Sequence, residues 1–492
     1  MQHGRWVLAA TILGSAMAFI DSTVINIALP VLQKSLGADV AQAQWIVDAY
    51  LLVLSSLMLV GGAIGDRVGR VRVYAVGVAL FALGSLWCGA APNATQLIVA
   101  RAAQGLGAAM LVPGSLAIIT ATFPPETRGR AIGTWSAMTS LAIIAGPLLG
   151  GWLVEAISWR AVFYINLPIA AVTLLIVWRK VPHLDATESG AIDWLGTILI
   201  TIALGATTYS LIERVIMPAA IALVAFIAFI IVERKTDDPI VPLSLFRSRT
   251  FTGANFLTLL LYGALSAATF LLPFNLIQVQ HYSPAKAGAA FLPFVATMSL
   301  LSRWTGALAD RIGPRLPLIV GPILAGVGFV LMARPAIGGS YWTTFFPAIL
   351  TLGIGMAITV APLTTTVMTS IDDERHAGAA SGINNTIARA AGLLATACFG
   401  AIAVTIFARS LDEQLVAMRM NENVRRAMAR QSVKLTAAQL PDGVDAETKR
   451  RVSEAVGLAF LRAFRVNMIA AGVIAAASSG GAAIIQQRRR SA

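Results

Sequence analysis

Fourteen runs of about twenty largely apolar residues divide this chain, and almost every charge falls between them. Such a run has the length a helix needs to cross a bilayer, and fourteen of them leave little chain for anything else. They fall near 7–30, 43–64, 73–92, 96–118, 131–153, 161–178, 192–212, 215–232, 251–277, 285–304, 316–333, 341–361, 383–406 and 466–486. Of the 492 residues, 12% are charged and 57% belong to the apolar set, with a mean hydropathy of +0.76. Soluble globular chains carry about 25% charged residues, and disordered chains are poor in apolar ones, so both classes are excluded. The expected fold is an all-α membrane protein. The first run, Trp6 to about Leu32, is too long for a signal-peptide core and is expected to remain as the first span.

A net charge of +13 would suggest nucleic acid in a soluble protein. In a chain of spans it follows instead from Lys and Arg collecting in cytoplasmic loops, and no nucleic-acid partner is expected. An even number of spans puts both termini on one side, and Arg5 with Arg488–Arg490 assigns that side to the cytoplasm. Loops and tails on that side carry about nineteen Lys and Arg, whereas the short outer loops carry five: Lys34, Arg160, Arg214, Lys286 and Arg334. The stretch 407–455 is expected outside, with nine basic and seven acidic residues. Leu411, Leu415, Met418 and Val424 give it the partial spacing of a solvated helical hairpin. Cys88 and Cys398 lie in apolar segments, so neither a disulfide framework nor a metal site is expected. The four histidines (His3, His183, His281 and His376) lie at span ends or in loops. With no HExxH and no GxxxxGK(S/T), metal hydrolysis and direct use of ATP lack their parts.

An internal repeat gives the organisation. Gly62-Ala-Ile-Gly-Asp66-Arg67-Val-Gly69 recurs as Gly306-Ala-Leu-Ala-Asp310-Arg311-Ile-Gly313, each copy after a span and before further arginine, Arg70 and Arg72 or Arg315. Six spans at the local density of about 30 residues each would separate the copies by roughly 180 residues, but the offset is 244. The excess corresponds to two helices inserted at about 192–232. The expected organisation is a six-helix half at 1–180, inserted helices and linkers at 181–250, and a second six-helix half at 251–486. That half carries the 407–455 loop, and a basic tail at 487–492 follows it.

Further motifs stand in order along the chain. They are Asp21-Ser-Thr-Val-Ile-Asn26-Ile-Ala-Leu-Pro30, Trp45-Ile-Val-Asp48-Ala-Tyr50, Arg101-Ala-Ala-Gln104-Gly105-Leu-Gly107, Gly146-Pro147-Leu-Leu-Gly150-Gly151, and Trp159-Arg160-Ala-Val-Phe163-Tyr-Ile-Asn166-Leu-Pro168. Together with the repeat they resemble the major facilitator superfamily, and within it the fourteen-span drug:proton antiporter family. The resemblance covers nearly the whole chain apart from 407–455. It implies a secondary active transporter, not an enzyme, that exports lipophilic, often cationic, drugs across the inner membrane. The alternative is export of an endogenous metabolite, lipid or self-made antibiotic by the same antiport. The resemblance implies no cofactor beyond the proton gradient; the partners are a drug-like small molecule, protons and the bilayer, and the protein works as a monomer.

Ionisable residues inside spans are costly and usually functional. Asp21, Arg101 and Asp48 are therefore the candidates for proton coupling, with Asp21 exchanging a proton under the influence of Arg101. A fixed Asp21–Arg101 pair stapling two helices is the alternative. Gly62, Asp66, Arg67, Gly69 and Arg70, with Gly306, Asp310, Arg311 and Gly313, are the candidate gating loops; Pro314 departs from the family pattern in the second copy. Gly146, Pro147, Gly150 and Gly151 let helices approach closely and kink the fifth span, and in the family that motif marks exporters. Ala142 stands where the motif often has another Gly. Asn26, Tyr262, Phe270, Asn275 and Asn384 are cavity candidates, with Asn255, Gln278, Asn385, Phe274 and Trp135 behind them. Arg389 is expected to pair within the bundle or to point to the inner surface.

Overall fold

The chain is described by a computed structural model over residues 2–182, 193–237, 239–370, 374–437 and 445–485; the tail 487–492 and the side chain of Asp310 lie outside the described residues. The first six spans are α1 (Gln2–Leu36), α2 (Val40–Val68), α3 (Arg70–Ala90), α4 (Ala94–Thr122), α5 (Pro125–Ala156), and α6 (Ala161–Tyr164) continued by α7 (Asn166–Lys180). The inserted spans are α8 (Trp194–Glu213) and α9 (Met217–Lys235). The second six are α10 (Arg249–Phe274), α11 (Pro284–Ala289) with α12 (Leu292–Ile312), α13 (Arg315–Met332), α14 (Phe345–Thr369), α15 (Glu374–Ala417) and, after the short α16 (Glu422–Gln431), α17 (Ala446–Ile484). Among the described residues there is no strand, and fourteen spans are present. Odd-numbered spans leave the face that holds the N-terminus, here the terminus face, and reach the opposite face.

Short polar signals stop and restart the helices. Asp39 and Gln42 form a reciprocal capping box at the start of α2. Asn93, Asp193, Ser248 and Asp445 each accept a bond from a backbone N–H in the first turn of α4, α8, α10 and α17. Between α2 and α3 the whole turn is Gly69, at φ 112°, a conformation open to a residue without Cβ. Its counterpart Gly313, at φ 84°, follows α12. Pro273 gives no N–H to the helix ladder, and α10 leaves its regular winding one residue later in a π turn at Asn275–Val279.

Glycine brings the helices of each half together. A Cβ on Gly107 would stand 2.8 Å from Phe81 Cα, and one on Gly328 would stand 2.6 Å from Leu352 N. Helices in lipid associate through such close packing, because tails and side chains are equally apolar. Large apolar side chains such as Leu83, Trp152, Trp178, Val224 and Trp304 point outward, which in a chain of spans is the surface that meets lipid. The inserted α8 packs on α2 of the first half and α15 of the second, so the hairpin straddles both.

The halves meet along α2–α15, α5–α11 and α1–α10. Hydrogen bonds between them, where both partners are described, lie toward the opposite face. Gln44 Nε2 donates to the carbonyls of Thr396 (2.7 Å) and Ala397 (3.2 Å), and Gln278 Nε2 donates to Pro30 O at 3.1 Å. Glu155 Oε2 accepts from Ala285 N at 3.0 Å. In this conformation the molecule is closed there.

The helical hairpin expected in 407–455 is formed by α15 continuing to Ala417 and α17 beginning at Ala446, but its apolar side is buried and not solvated. Leu411 and Leu415 pack with Val452, Ala455 and Ala459 in the same buried core, so the apolar spacing carries both helices past the bilayer as a pair. The connection returns over the seam, where Gln33 Nε2 of α1 donates to Lys434 O (3.3 Å) and Thr436 bonds Gln278.

The α5–α11 approach generates a prediction. A Cβ on Gly151 would stand 2.9 Å from Ala285 Cα, and one on Gly288 would strike the carbonyl of Pro147. Gly151→Leu and Gly288→Leu should each wedge this closure at a cost of about 1–3 kcal/mol. Measured with a single cysteine at Ala285 and a membrane-impermeant maleimide, labelling from the opposite face should speed up several-fold. Unchanged labelling in properly folded variants would show that this contact does not close the seam.

Candidate functional site

The first half is tied together around one buried ion pair. Arg101 of α4 and Asp21 of α1 are 1% and 2% exposed, and Arg101 Nη1 donates to Asp21 Oδ2 at 2.6 Å. The same nitrogen donates to Gln104 Oε1 at 2.6 Å, and Nε donates to the carbonyl of Ile46 on α2 at 3.0 Å. Asp21 Oδ1 accepts from Gln104 Nε2 (2.8 Å) and from Asn166 Nδ2 of α7 (3.2 Å). Ser85 Oγ of α3 accepts from Gln104 (2.8 Å) and Asn166 (3.2 Å). The Tyr50 ring lies 4.3 Å from the guanidinium carbon and Phe163 lies 5.9 Å from it. Charges in lipid persist when paired and hydrogen-bonded in this manner, so α1, α2, α3, α4 and α7 share one polar knot. Gln104, Asn166 and Tyr50 sit within the sequence motifs, but their role as partners was not legible. Ser85 had only the signal of a small polar residue in an apolar run.

Asp48 does not join that knot. It is fully buried, and neither carboxylate oxygen has a hydrogen-bond partner. Its level on α2 follows from its neighbours: Trp45 meets Tyr209 of α8 with ring centroids 6.2 Å apart, and Leu52 Cδ2 would lie 3.5 Å from a Cβ on Gly205. Asp48 therefore lies level with Thr208, whose buried Oγ1 is also without a partner. The expectation of one cluster of three charges becomes a pair plus a separate acid, because Asp48 is turned from α4 by the winding of α2.

The repeated loops are built unequally. Asp66 Oδ1 accepts from Arg70 Nε at 2.6 Å across the α2–α3 turn, and Arg70 Nη1 reaches Ala117 O of α4 at 3.4 Å. In the second copy Gly313 is followed by Pro314, Arg311 is exposed, and Arg315 Nη2 reaches Ala483 O of α17 at 3.3 Å. Gly62 and Gly306 face ordinary packing, against Pro113 and Ala361. On α5, a Cβ on Gly146 would collide with Thr23 of α1, and one on Gly150 would stand 3.1 Å from Val24 Cα. Gly151 instead faces the second half, one turn beyond Pro147.

The cavity candidates divide. Asn26 and Tyr262 are half-buried. Asn384 is half-buried and donates to Asn255 Oδ1 (3.0 Å) and Thr258 Oγ1 (2.7 Å) on α10. Phe270 and Asn275 are packed away: Phe270 is 1% exposed against Phe274, and Asn275 is fully buried and accepts from Gln280. In this conformation they have no free surface for a ligand. Arg389 neither pairs with a described carboxylate nor reaches a surface loop; its guanidinium lies 5.5 Å from the Phe19 ring of α1. Among the described residues no group of three or more His, Cys, Asp or Glu could hold a metal.

Two six-helix bundles packed along one seam, with charges buried inside the spans, have the architecture of a membrane transporter. The profile of the Major Facilitator Superfamily matches residues 11–396, and the chain belongs to that superfamily. It is a multi-pass membrane transporter and not an enzyme. It is 33% identical over 418 residues to the multidrug resistance protein Stp of Mycobacterium tuberculosis, covering 83% of this chain and 77% of that one. To the tetracenomycin C resistance and export protein of Streptomyces glaucescens it is 32% identical, covering 80% and 75%. Among solved structures, a bacterial homolog of the human lysosomal transporter Spinster superposes with a TM-score of 0.68 at 19% identity, covering 99% and 97%.

The polar knot predicts strong coupling between its members. Arg101→Gln leaves Asp21 as a buried charge with no counter-ion and should lose about 3–5 kcal/mol of stability. Asp21→Asn with Arg101→Gln removes both charges and should recover a large part of that loss. Thermal unfolding in detergent would read the cycle, and additive losses would show that the two residues act independently.

Proposed function

We propose that this protein is a proton-coupled antiporter that exports lipophilic, drug-like molecules across the cell membrane. The observation that carries the reading is the buried acid chemistry of the first half: a carboxylate locked by Arg101, and a second, Asp48, with no partner at all. An uncompensated buried charge is costly, and a proton delivered to Asp48 cancels it. A proton reaching Asp21 would likewise remove the charge around which Arg101, Gln104 and Asn166 are arranged, loosening α1 from α4. Both residues then give a proton gradient, with no cofactor, a handle on the helices that form the seam.

The printed names of the relatives support drug or antibiotic export. The excess of Lys and Arg in loops of the terminus face supports placing both termini in the cytoplasm. In that orientation the conformation described here is closed to the outside. The loop with the Asp66–Arg70 pair and its counterpart at 306–313 then belong to the cytoplasmic gate, and the Gly146–Gly151 segment to the outer closure. One chain contains both halves and the whole seam, which fits action as a monomer. The Streptomyces relative, named for export of a single compound, favours a second reading in which the cargo is an endogenous metabolite, lipid or self-made antibiotic.

Proteoliposomes with an acidic lumen test the coupling. Adding ethidium or tetracenomycin C should release luminal protons through the wild type, and Asp48→Asn and Asp21→Asn should abolish the release while exchange of labelled compound across the membrane continues. Compound accumulation indifferent to the pH gradient would overturn antiport.

A further inference from the structure

Arg389 is a cation in the middle of a span that the mechanism above does not use. It lies on α15, within the apolar stretch Gly382–Ala417. Its guanidinium carbon is 5.5 Å from the centroid of Phe19, near the middle of α1. Three residues further along α15, a Cβ on Gly392 would stand 3.0 Å from Ser266 Oγ of α10 and 3.9 Å from Leu51 Cδ1 of α2. Arg389 therefore sits where α1, α2, α10 and α15 converge, on the seam between the halves. It is part-exposed, unlike Arg101.

The neighbouring acids do not neutralise it. Asp21 is taken by Arg101 at 2.6 Å, and Asp48 is fully buried with both oxygens unpartnered, so it makes no bond to Arg389. No described carboxylate lies within ion-pair distance of Arg389, and no described acceptor bonds its guanidinium. A guanidinium at membrane depth is retained where it pairs, lines a watery path or serves as counter-ion to a ligand. Lying over a ring at cation–π distance, with its planar fork of donors bonded to no described acceptor, it suits a carboxylate or a comparable planar anion.

We propose that Arg389 is the counter-ion for the transported molecule, and that the preferred cargo is an amphipathic organic anion whose apolar body lies against Phe19 and Tyr262. This rests on the antiport reading and specifies its substrate class, in place of the often cationic compounds the family resemblance implies. An inward proton exchanged for an outward anion moves both charges in the electrically favoured sense, so an interior-negative membrane potential adds to the drive.

Two xanthene dyes of opposite charge provide the test: carboxyfluorescein as the anion and tetramethylrhodamine ethyl ester as the cation, accumulated in acid-lumen proteoliposomes. The wild type should favour the anion. Arg389→Gln should lower the anion-to-cation transport ratio by about tenfold to a hundredfold, the loss of one charge-assisted contact. Arg389→Lys keeps the charge without the fork and should recover a large part of the ratio, which also controls for misfolding. Wild-type preference for the cation, or a ratio untouched by Arg389→Gln, would overturn the assignment while leaving antiport standing. Failure of both dyes to respond to the pH gradient would overturn antiport and this inference with it.

Discussion

The interaction on which the first half depends is the contact of one guanidinium with one carboxylate at membrane depth. Arg101 and Asp21 are each almost completely buried. The membrane makes their separation far costlier than it would be at a protein surface. Gln104, Asn166 and the Ile46 carbonyl bond the two charges, and Ser85 in turn accepts from Gln104 and Asn166. Because each partner comes from a different helix, satisfying the charges also sets how α1, α2, α3, α4 and α7 are rotated about their axes. Apolar packing alone would leave those rotations nearly degenerate.

The two halves are not equivalent copies. The first has its buried pair, a one-glycine turn and the Asp66–Arg70 bridge. The second has a proline after its turn glycine, a π turn after Pro273, and α15 and α17 prolonged as a pair beyond the opposite face. Among the described residues, the cation it brings to the middle of the seam, Arg389, has no carboxylate partner. A rocking motion of one half against the other thus pivots between a side that holds a neutralised pair and one unpartnered acid, Asp48, and a side whose cation has no described carboxylate.

The seam itself is made by backbone approach. Gly151 and Gly288 bring α5 and α11 close enough that a methyl group on either would touch the opposite main chain. Gln44 and Gln278 bond carbonyls across the gap, and the connection through Lys434 and Thr436 returns over both halves. None of these contacts buries a charge, and the one carboxylate in the closure, Glu155 accepting from Ala285 N, is exposed, so the closure is held by small residues, neutral hydrogen bonds and one rim bond. Such contacts break and re-form at modest cost.

Much of this was legible along the chain because lipid imposes one-dimensional rules. Apolar runs of span length, arginine between them and a repeat displaced by two extra spans were enough for fourteen helices, two halves and an inserted hairpin. Asp21 and Arg101 stood out because charges in apolar runs are rare. Their partners did not, since Ser85, Asn166 and the Ile46 carbonyl are marked by position in space and not by residue type. The same limit explains Asp48, which shares a depth with the pair yet is wound onto the α8 side of α2, and Phe270 and Asn275, which are packed away. The helical spacing of 407–455 was visible in Leu411 and Leu415, but its burial against α17 was not, because charged outer faces mask the stripe that meets Val452. The sequence by itself determined which segments cross the membrane and which charges must be accommodated there, because burial in lipid is decided locally. Only the tertiary structure decided which charge meets a partner and which, like Arg389, meets none, because that depends on the rotation of helices far apart in sequence.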